Sequence, residues 1–462
     1  MKKLIILLFL FLLLEGLSFS QDIDSLLINN IFTEALSSRI AYKNLRYLCK
    51  QAKGRITGSP QAAKAVEFTR QIMQNMELDS VYLQEVMVPN WNPGDKEYAS
   101  ISSSLFGSKE VSVCALGTSI GTGEDGIFSE VVEVKNFEKL KQLGQEVIKD
   151  KIVFFNRPME TSLINTFSAY GRAVNQRTAG AAKAAEYGAI GAVVRSVTTA
   201  IDDFPHTGVM RYQDGINKIP AIAISTKDAD LLSKWLKMDP KLIFYFRTTC
   251  KKLSDVKSYN VIGEIKGTKY PEEIIVIGGH LDAWFNTEGA HDDGAGCIQS
   301  IEVLRLFKKL TIKPKRTIRA VMFMDEEVAQ RGGKKYAELT RLKNEKHYFA
   351  LESDRGAFTP RGFSFSVSKK MFSNLQGFKK YFLTYGINDF KKGGSGVDIG
   401  PLKKYNVPLG SLVPDCQRYF DYHHSVNDSF EQVNIREIQM GSAAIASLIY
   451  LIDKFGLVKG DM

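Results

Sequence analysis

The spacing of apolar residues along this chain changes period several times, and each change marks an element. Residues 21 to about 50 place Ile31, Leu36, Ile40, Leu45 and Leu48 at helical spacing. The turn Arg55-Ile56-Thr57-Gly58-Ser59-Pro60 then launches a second helix, expected over Ala62 to Met76, and Val81 to Val88 alternates as a half-buried strand does. From about Val111 to Thr248 the texture differs. Strands are expected over Ile127 to Val134, Lys151 to Phe155, Ile190 to Val194 and Ala221 to Ile224, with a helix over Ala179 to Tyr187. No pair of acidic or histidine residues falls at metal spacing there, and the lone His206 reads as a structural loop residue, so this segment reads as an inserted non-catalytic domain.

From about Ser258 strand and helix alternate again. Strands are expected over Asn260 to Ile265, Ile274 to Ile277, Thr317 to Met324 and Tyr348 to Leu351, and helices over Ile298 to Phe307 and near Lys334 to Thr340. That alternation predicts an α/β fold with a mainly parallel central sheet and helices on both faces. Asn434, with Glu437 three residues on, is the start signal of a last helix. The apolar stretch Ile438 to Leu457 is interrupted by Gln439, Ser442, Ser447, Asp453 and Lys454, which makes it a core-packed amphipathic helix rather than a membrane span. The division expected is a leader over 1–20, one α/β domain split between 21–110 and 251–462, and the insertion over 111–250.

The N-terminus is distinct. Lys2 and Lys3 precede an apolar run, Leu4 to Leu14, followed by Ser18-Phe19-Ser20, which is the pattern of a secretory signal peptide cut before Gln21. The run is too short for a stable membrane anchor, since a spanning helix needs roughly twenty residues. The expected location is secreted or extracellular, with the lumen of the endoplasmic reticulum, Golgi or lysosome as alternatives. Composition is that of a folded soluble chain: 462 residues, 44% hydrophobic and 24% charged, with a formal charge of +10. The basic residues are scattered, without a basic run interleaved with aromatics, so nucleic-acid binding is not expected. Five cysteines are few for a disulfide framework, and Cys297, among small residues, reads as a buried small hydrophobe.

Chemistry concentrates in six short clusters at predicted strand ends or in loops near them: His280-x-Asp282, Asp292-Asp293, Glu326-Glu327, Glu352-x-Asp354, Gly396-Val397-Asp398 and His423-His424. Each alone is weak. Together, two histidines and three or four carboxylates make the ligand set for a pair of nitrogen- and oxygen-loving metals, most plausibly Zn²⁺. Two such ions activate a water and polarise a substrate carbonyl. A carboxylate that is not a ligand must then move the water's proton to the leaving amine, and one member of Glu326-Glu327 is placed to do so.

The series HLD, DDGAG twelve residues after the first histidine, DEE, ESD and HHSVNDS resembles the aminopeptidase and glutamate carboxypeptidase family of di-zinc metallopeptidases. RITGSPQAAKA, GTSIGT, RSVTTA, PHTGVMRYQDG, KIPAIAI and GVDIG extend the resemblance over nearly the whole mature chain. It implies a zinc-exopeptidase fold with an inserted protease-associated domain, and a homodimer. His280, Asp292 and Asp354 would hold one zinc, and Asp292, Glu327 and His424 the other, with Asp292 bridging. Glu326 becomes the general base, and Asp282 the carboxylate that orients His280. His423 is then a wall residue and His291 a pocket-lining one, while Asp428 braces the His424 loop, where the sequon at Asn427 is expected to stay unused. The substrate implied is a small peptide, a dipeptide with a free N-terminus. A carboxypeptidase releasing C-terminal glutamate and a metal-free binding scaffold are the alternatives.

Overall fold

The protein is described here by a computed structural model over residues 23–458, so the leader expected over 1–20 lies outside the described residues. Among the described residues the strands form two eight-stranded sheets. Across the first, the order is Ser80–Asn92, Lys251–Ile265, Arg316–Phe323, Tyr270–His280, Lys346–Glu352, Leu409–Pro414, Pro360–Ser366 and Asp389–Lys392. The middle is parallel, from Arg316–Phe323 to Leu409–Pro414, and the pairings that flank it are antiparallel. Parallel strands buried on both faces read as continuous apolar runs, and Ile274-Ile275-Val276-Ile277 in Tyr270–His280 is such a run, buried at every position.

Side chains alternate between two cores. Ile275 and Ile277 face the helices Ala295–Lys309, Ile435–Phe455 and Ile40–Gln51, whereas Ile274 and Val276 face Tyr336 and Ala337 on Arg331–Leu342. Helices thus cover both faces, as the alternation predicted. Ile435–Phe455 is, among the described residues, the one helix long and apolar enough to cross a membrane, but it lies in the first core with Ile445, Leu448, Ile449 and Ile452 fully buried. Asn434 caps it, accepting the amide of Arg436. Glu437 does not close the cap; it accepts the Thr359 amide at 3.1 Å and ties the helix start to a neighbouring loop.

The second sheet runs Gly107–Glu110, Tyr98–Ser103, Ile243–Arg247, Ile127–Val134, Ile152–Phe155, Gly191–Arg195, Ala221–Ile224, Val113–Ala115. Asn92 and Lys251 are paired in the first sheet, so the chain leaves for the second sheet and returns from it at adjacent points. The second sheet begins at Tyr98, earlier in the chain than the change of texture at Val111. All five cysteines are unpaired, and Cys297 is fully buried with its thiol on the His280 carbonyl at 3.1 Å.

Candidate metal centre

Three parallel strands end at one point, the position where open α/β sheets place their ligand crevice. His280 is the last residue of Tyr270–His280, Glu326 and Glu327 follow Arg316–Phe323, and Asp354 follows Lys346–Glu352. Asp292 sits in the turn before Ala295–Lys309, and His424 follows the short helix Tyr419–Tyr422. The turn must run close under the neighbouring strand: a Cβ on Gly296 would lie 1.8 Å from the Ser353 carbonyl oxygen, so only glycine fits there.

These residues meet around Asp292. Its Oδ1 is 3.1 Å from His280 Nε2, which in turn is 3.6 Å from Asp354 Oδ1. Its Oδ2 is 3.3 Å from His424 Nε2, which lies 3.0 Å from Glu327 Oε2. Asp292 Oδ2, Glu327 Oε1 and Asp354 Oδ1 are buried without a hydrogen-bond partner among the described residues. Buried carboxylate oxygens with nothing to accept are costly, and a divalent cation between them supplies what protein donors do not. Imidazole nitrogens with carboxylate oxygens are a donor set suited to zinc. Ligand atoms of His280, Asp292 and Asp354 lie within 4.8 Å of one another, and so do those of Asp292, His423 and His424. His423 is therefore nearer than a wall residue: its ring stacks on His424 at 3.5 Å and its Nε2 is 3.7 Å from Asp292 Oδ2.

Neighbouring groups orient this cluster. Asp282 meets His280 Nδ1 through its backbone carbonyl, at 3.0 Å. Its carboxylate, 3.9 Å from that nitrogen, accepts the Glu326 amide at 3.0 Å and the Glu327 amide at 3.4 Å, so it holds the two glutamates' backbone rather than the imidazole alone. Asp293, joined to Asp292 by a cis peptide, turns away from the cluster to accept the His280 and Gly296 amides. Asp428 accepts the His291 and Asp292 amides at 2.8 and 3.1 Å and ties the two loops together, the bracing expected of it. His291 does not line the cavity. It is buried against Phe358 and Tyr422, its ring nearly parallel to both, with Nδ1 accepting the Ala357 amide. Two non-glycine residues beside the centre adopt left-handed backbone, Asp325 at φ +72° and His424 at φ +65°. Such conformations persist where surrounding contacts over-determine them, often at functional sites.

The second sheet's segment is not remote from this chemistry. The cavity over the cluster, about 300 Å³, is lined by Tyr170, Arg177, Val209 and Arg211 as well as by Glu326 and Asp354. The Thr207 carbonyl is 3.2 Å from His424 Nδ1, the Thr207 amide donates to the His424 carbonyl, and His206 Nδ1 is 2.6 Å from the His423 carbonyl. With Nδ1–H donating to Thr207, His424 keeps Nε2 unprotonated, and the Trp284 indole N–H lies 3.2 Å from it. Arg177 braces the same carbonyl at 3.3 Å and also takes the Tyr170 hydroxyl at 2.7 Å. Trp284, another residue the motif pattern does not mark, donates Nε1–H to Glu327 Oε2 at 2.6 Å.

Electrostatics follow from crowding. Burial, then neighbouring carboxylates, pushes Glu327 and Glu326 well above the usual carboxylate range, and burial also raises Asp354. Asp292 is the exception: burial would raise it, but the His280 hydrogen bond and the adjacent imidazoles hold it low. Burial lowers His423 to about 3 and pushes His424 well below the ordinary range, leaving neutral rings of the kind a metal binds.

A parallel-sheet crevice with a buried cluster of imidazoles and carboxylates is a divalent-metal site of the kind that metal-dependent hydrolases use. The comparisons make this specific. A profile of Peptidase family M28 matches residues 260–449. Human carboxypeptidase Q is 32% identical over 438 residues, covering 95% of this chain and 90% of that protein. The aminopeptidase YwaD of Bacillus subtilis is 22% identical over 95% of this chain and 90% of its own length. Among solved structures, a peptidase M28 precursor from Shewanella amazonensis superposes with a TM-score of 0.89 at 34% identity, covering 94% of this chain and 97% of that one. The zinc aminopeptidase BSAP of Bacillus subtilis shares the fold, with a TM-score of 0.64 at 18% identity over 89% of this chain and 94% of its own. The chain belongs to peptidase family M28.

Proposed function

We propose that this protein is a secreted or lumenal di-zinc exopeptidase that hydrolyses short peptides, foremost dipeptides with an unblocked N-terminus. The observation that carries this reading is the pose of Asp292, with one carboxylate oxygen turned to His280 and the other to His424. In this reading His280, Asp292 and Asp354 hold one zinc, and Asp292, Glu327 and His424 the other. When bound, the ions polarise the scissile carbonyl and make the attacking water more acidic. Glu326 accepts the water's proton and returns it to the leaving amine. Its backbone amide is fixed by Asp282 Oδ1, and its side chain lines the cavity beside the cluster. Thr207 orients His424 through its carbonyl, and Trp284 holds the Glu327 carboxylate with its indole N–H. The second sheet, on this reading, is a protease-associated domain that closes one wall of the site, and the working unit is a homodimer.

A panel of dipeptides, free and N-blocked, assayed with and without a chelator, tests the proposal. Chelator-sensitive cleavage of the free dipeptides is expected, with about two zinc ions bound per chain by elemental analysis, the two-metal arrangement. Cleavage confined to N-blocked peptides ending in glutamate would transfer the assignment to a carboxypeptidase. No chelator-sensitive cleavage of any peptide would leave a binding scaffold.

A further inference from the structure

A second cavity lies beyond the aromatic wall of the first. It encloses about 820 Å³ and shares Phe167 with the metal-centre cavity. Phe167 is held in place by stacking on Tyr419 at 5.3 Å and meeting Phe420 edge-on at 4.9 Å. The cavity over the metal cluster, at about 300 Å³, is at the small end of the roughly 300–1,000 Å³ usual for ligand pockets. A peptide that outgrows this space has the cavity past Phe167 next to it.

The second cavity is charge-biased. Arg361 is paired with Asp415 at 3.1 Å and Lys391 with Asp389 at 2.8 Å, so those four charges offset one another. Arg355 and Lys392 line the same space and have no acidic partner within ion-pair distance among the described residues. Arg355 is half-buried, its guanidinium 5.2 Å from the centre of the Phe167 ring. One end of the guanidinium faces Gly394, where even an added Cβ would stay 3.9 Å away. A half-buried guanidinium that lies over an aromatic face and makes no side-chain hydrogen bond or ion pair among the described residues keeps its fork of donors free for a planar anion. Arg355 also directly follows Asp354, so this cation stands one residue from the metal cluster. The second cavity suits an anion at one end of a substrate that lies across the cluster.

We propose that the cavity beyond Phe167 is the leaving-side subsite and that Arg355 is a specificity-determining residue that binds a carboxylate of the departing residue. The inference rests on the peptidase reading above and goes past it by assigning the recognition to a residue and a place. The carboxylate is either the C-terminal one or that of an acidic side chain, and the two sources are separable. The zinc-loaded full chain is assayed with Ala-Glu, Ala-Gln and C-terminally amidated Ala-Gln, in the wild type, Arg355→Ala and Arg355→Lys. Ala-Glu against Ala-Gln isolates the side chain, and Ala-Gln against its amide isolates the terminus.

The expected result is that Arg355→Ala lowers kcat/KM about 10- to 100-fold for one or both carboxylate contrasts and less than about 2-fold for the amide, because a buried charge-assisted pair is lost only where the carboxylate exists. Arg355→Lys restores part of the loss, and bound zinc and melting temperature stay at wild-type levels. An equal effect on all three substrates, or none on any, overturns the proposal. Calorimetric binding of free glutamate and glutamine to wild type and Arg355→Ala provides a reading independent of turnover. If no peptide is cut, the peptidase reading fails. The subsite then stands if Arg355→Ala weakens the binding of glutamate alone or of both ligands, and falls if wild type and Arg355→Ala bind them equally well. Should Arg355→Ala not fold, Arg355→Gln takes its place.

Discussion

The two sheets contribute to the site in different ways. The first supplies every carboxylate and imidazole of the cluster: His280, Glu327 and Asp354 at or just past the ends of strands, and Asp292 and His424 from the turns before Ala295–Lys309 and after Tyr419–Tyr422. The second supplies Tyr170, Arg177 and Thr207 from helices and loops at its edge, and these touch the cluster through one carbonyl and one cavity wall. Three of the candidate ligands thus sit at the ends of rigid strands, and the turns that carry Asp292 and His424 are joined by the Asp428 carboxylate on the Asp292 amide. Room for an added methyl group varies from position to position within each region. Around Gly296 in the first region a methyl group has no room, whereas nothing lies within 4 Å of a Cβ added to Gly171 in the second.

The sharpest break of this comparison comes from Asp292→Ala, which removes the only carboxylate facing both halves of the cluster. Peptidase activity should fall to background and bound zinc should drop, read by elemental analysis of the purified protein. Glu326→Gln should cut turnover by about 10²–10⁴-fold, the worth of a positioned proton-transfer group, with zinc content unchanged. Full activity in that variant would refute the assigned base. Gly296→Ala should destabilise the fold by about 2–4 kcal/mol, since backbone must move to accept the methyl, and denaturant unfolding measures it. Arg177→Ala tests the other region. It should weaken zinc binding about 10- to 100-fold through loosening of the Thr207 carbonyl that orients His424, without abolishing it, by competitive chelator titration. Complete loss of metal would make the second region part of the cluster and end the distinction. The smallest effect is expected from Gly171→Ala, inside the helix Thr166–Ala173: a gain of about 0.5–1 kcal/mol from helix propensity alone.

Much of the first region was legible in the chain. The apolar run before His280 and the alternation after Ser258 read correctly because a buried parallel strand leaves an unbroken local signature. The clusters holding His280, Glu327 and Asp354 stood out because they follow predicted strands, while the choice of Asp292 over Asp293 and of His424 over His423 came from the resemblance to the family. The fold brings all five to one crevice. The second region was read as non-catalytic, and that reading needs correction in one respect: its edge forms a wall of the cavity. His206, read as a plain loop residue, is buried against the His423 carbonyl, and His291, read as pocket-lining, belongs to an aromatic stack behind the centre.

What the amino-acid sequence determined by itself was periodic or local: which segments are strands and helices, and which acidic and histidine residues end them. Only the tertiary structure decided that Thr207 reaches His424, that Trp284 holds Glu327, that the Asp282 carboxylate turns to the glutamate amides, and that Arg355 faces a cavity without a counter-charge. Contacts between residues far apart in the chain, and the choice of which oxygen or nitrogen each group offers, leave no repeat in the sequence. They are fixed when packing of the two sheets forces particular surfaces together and each buried polar atom must find a partner there.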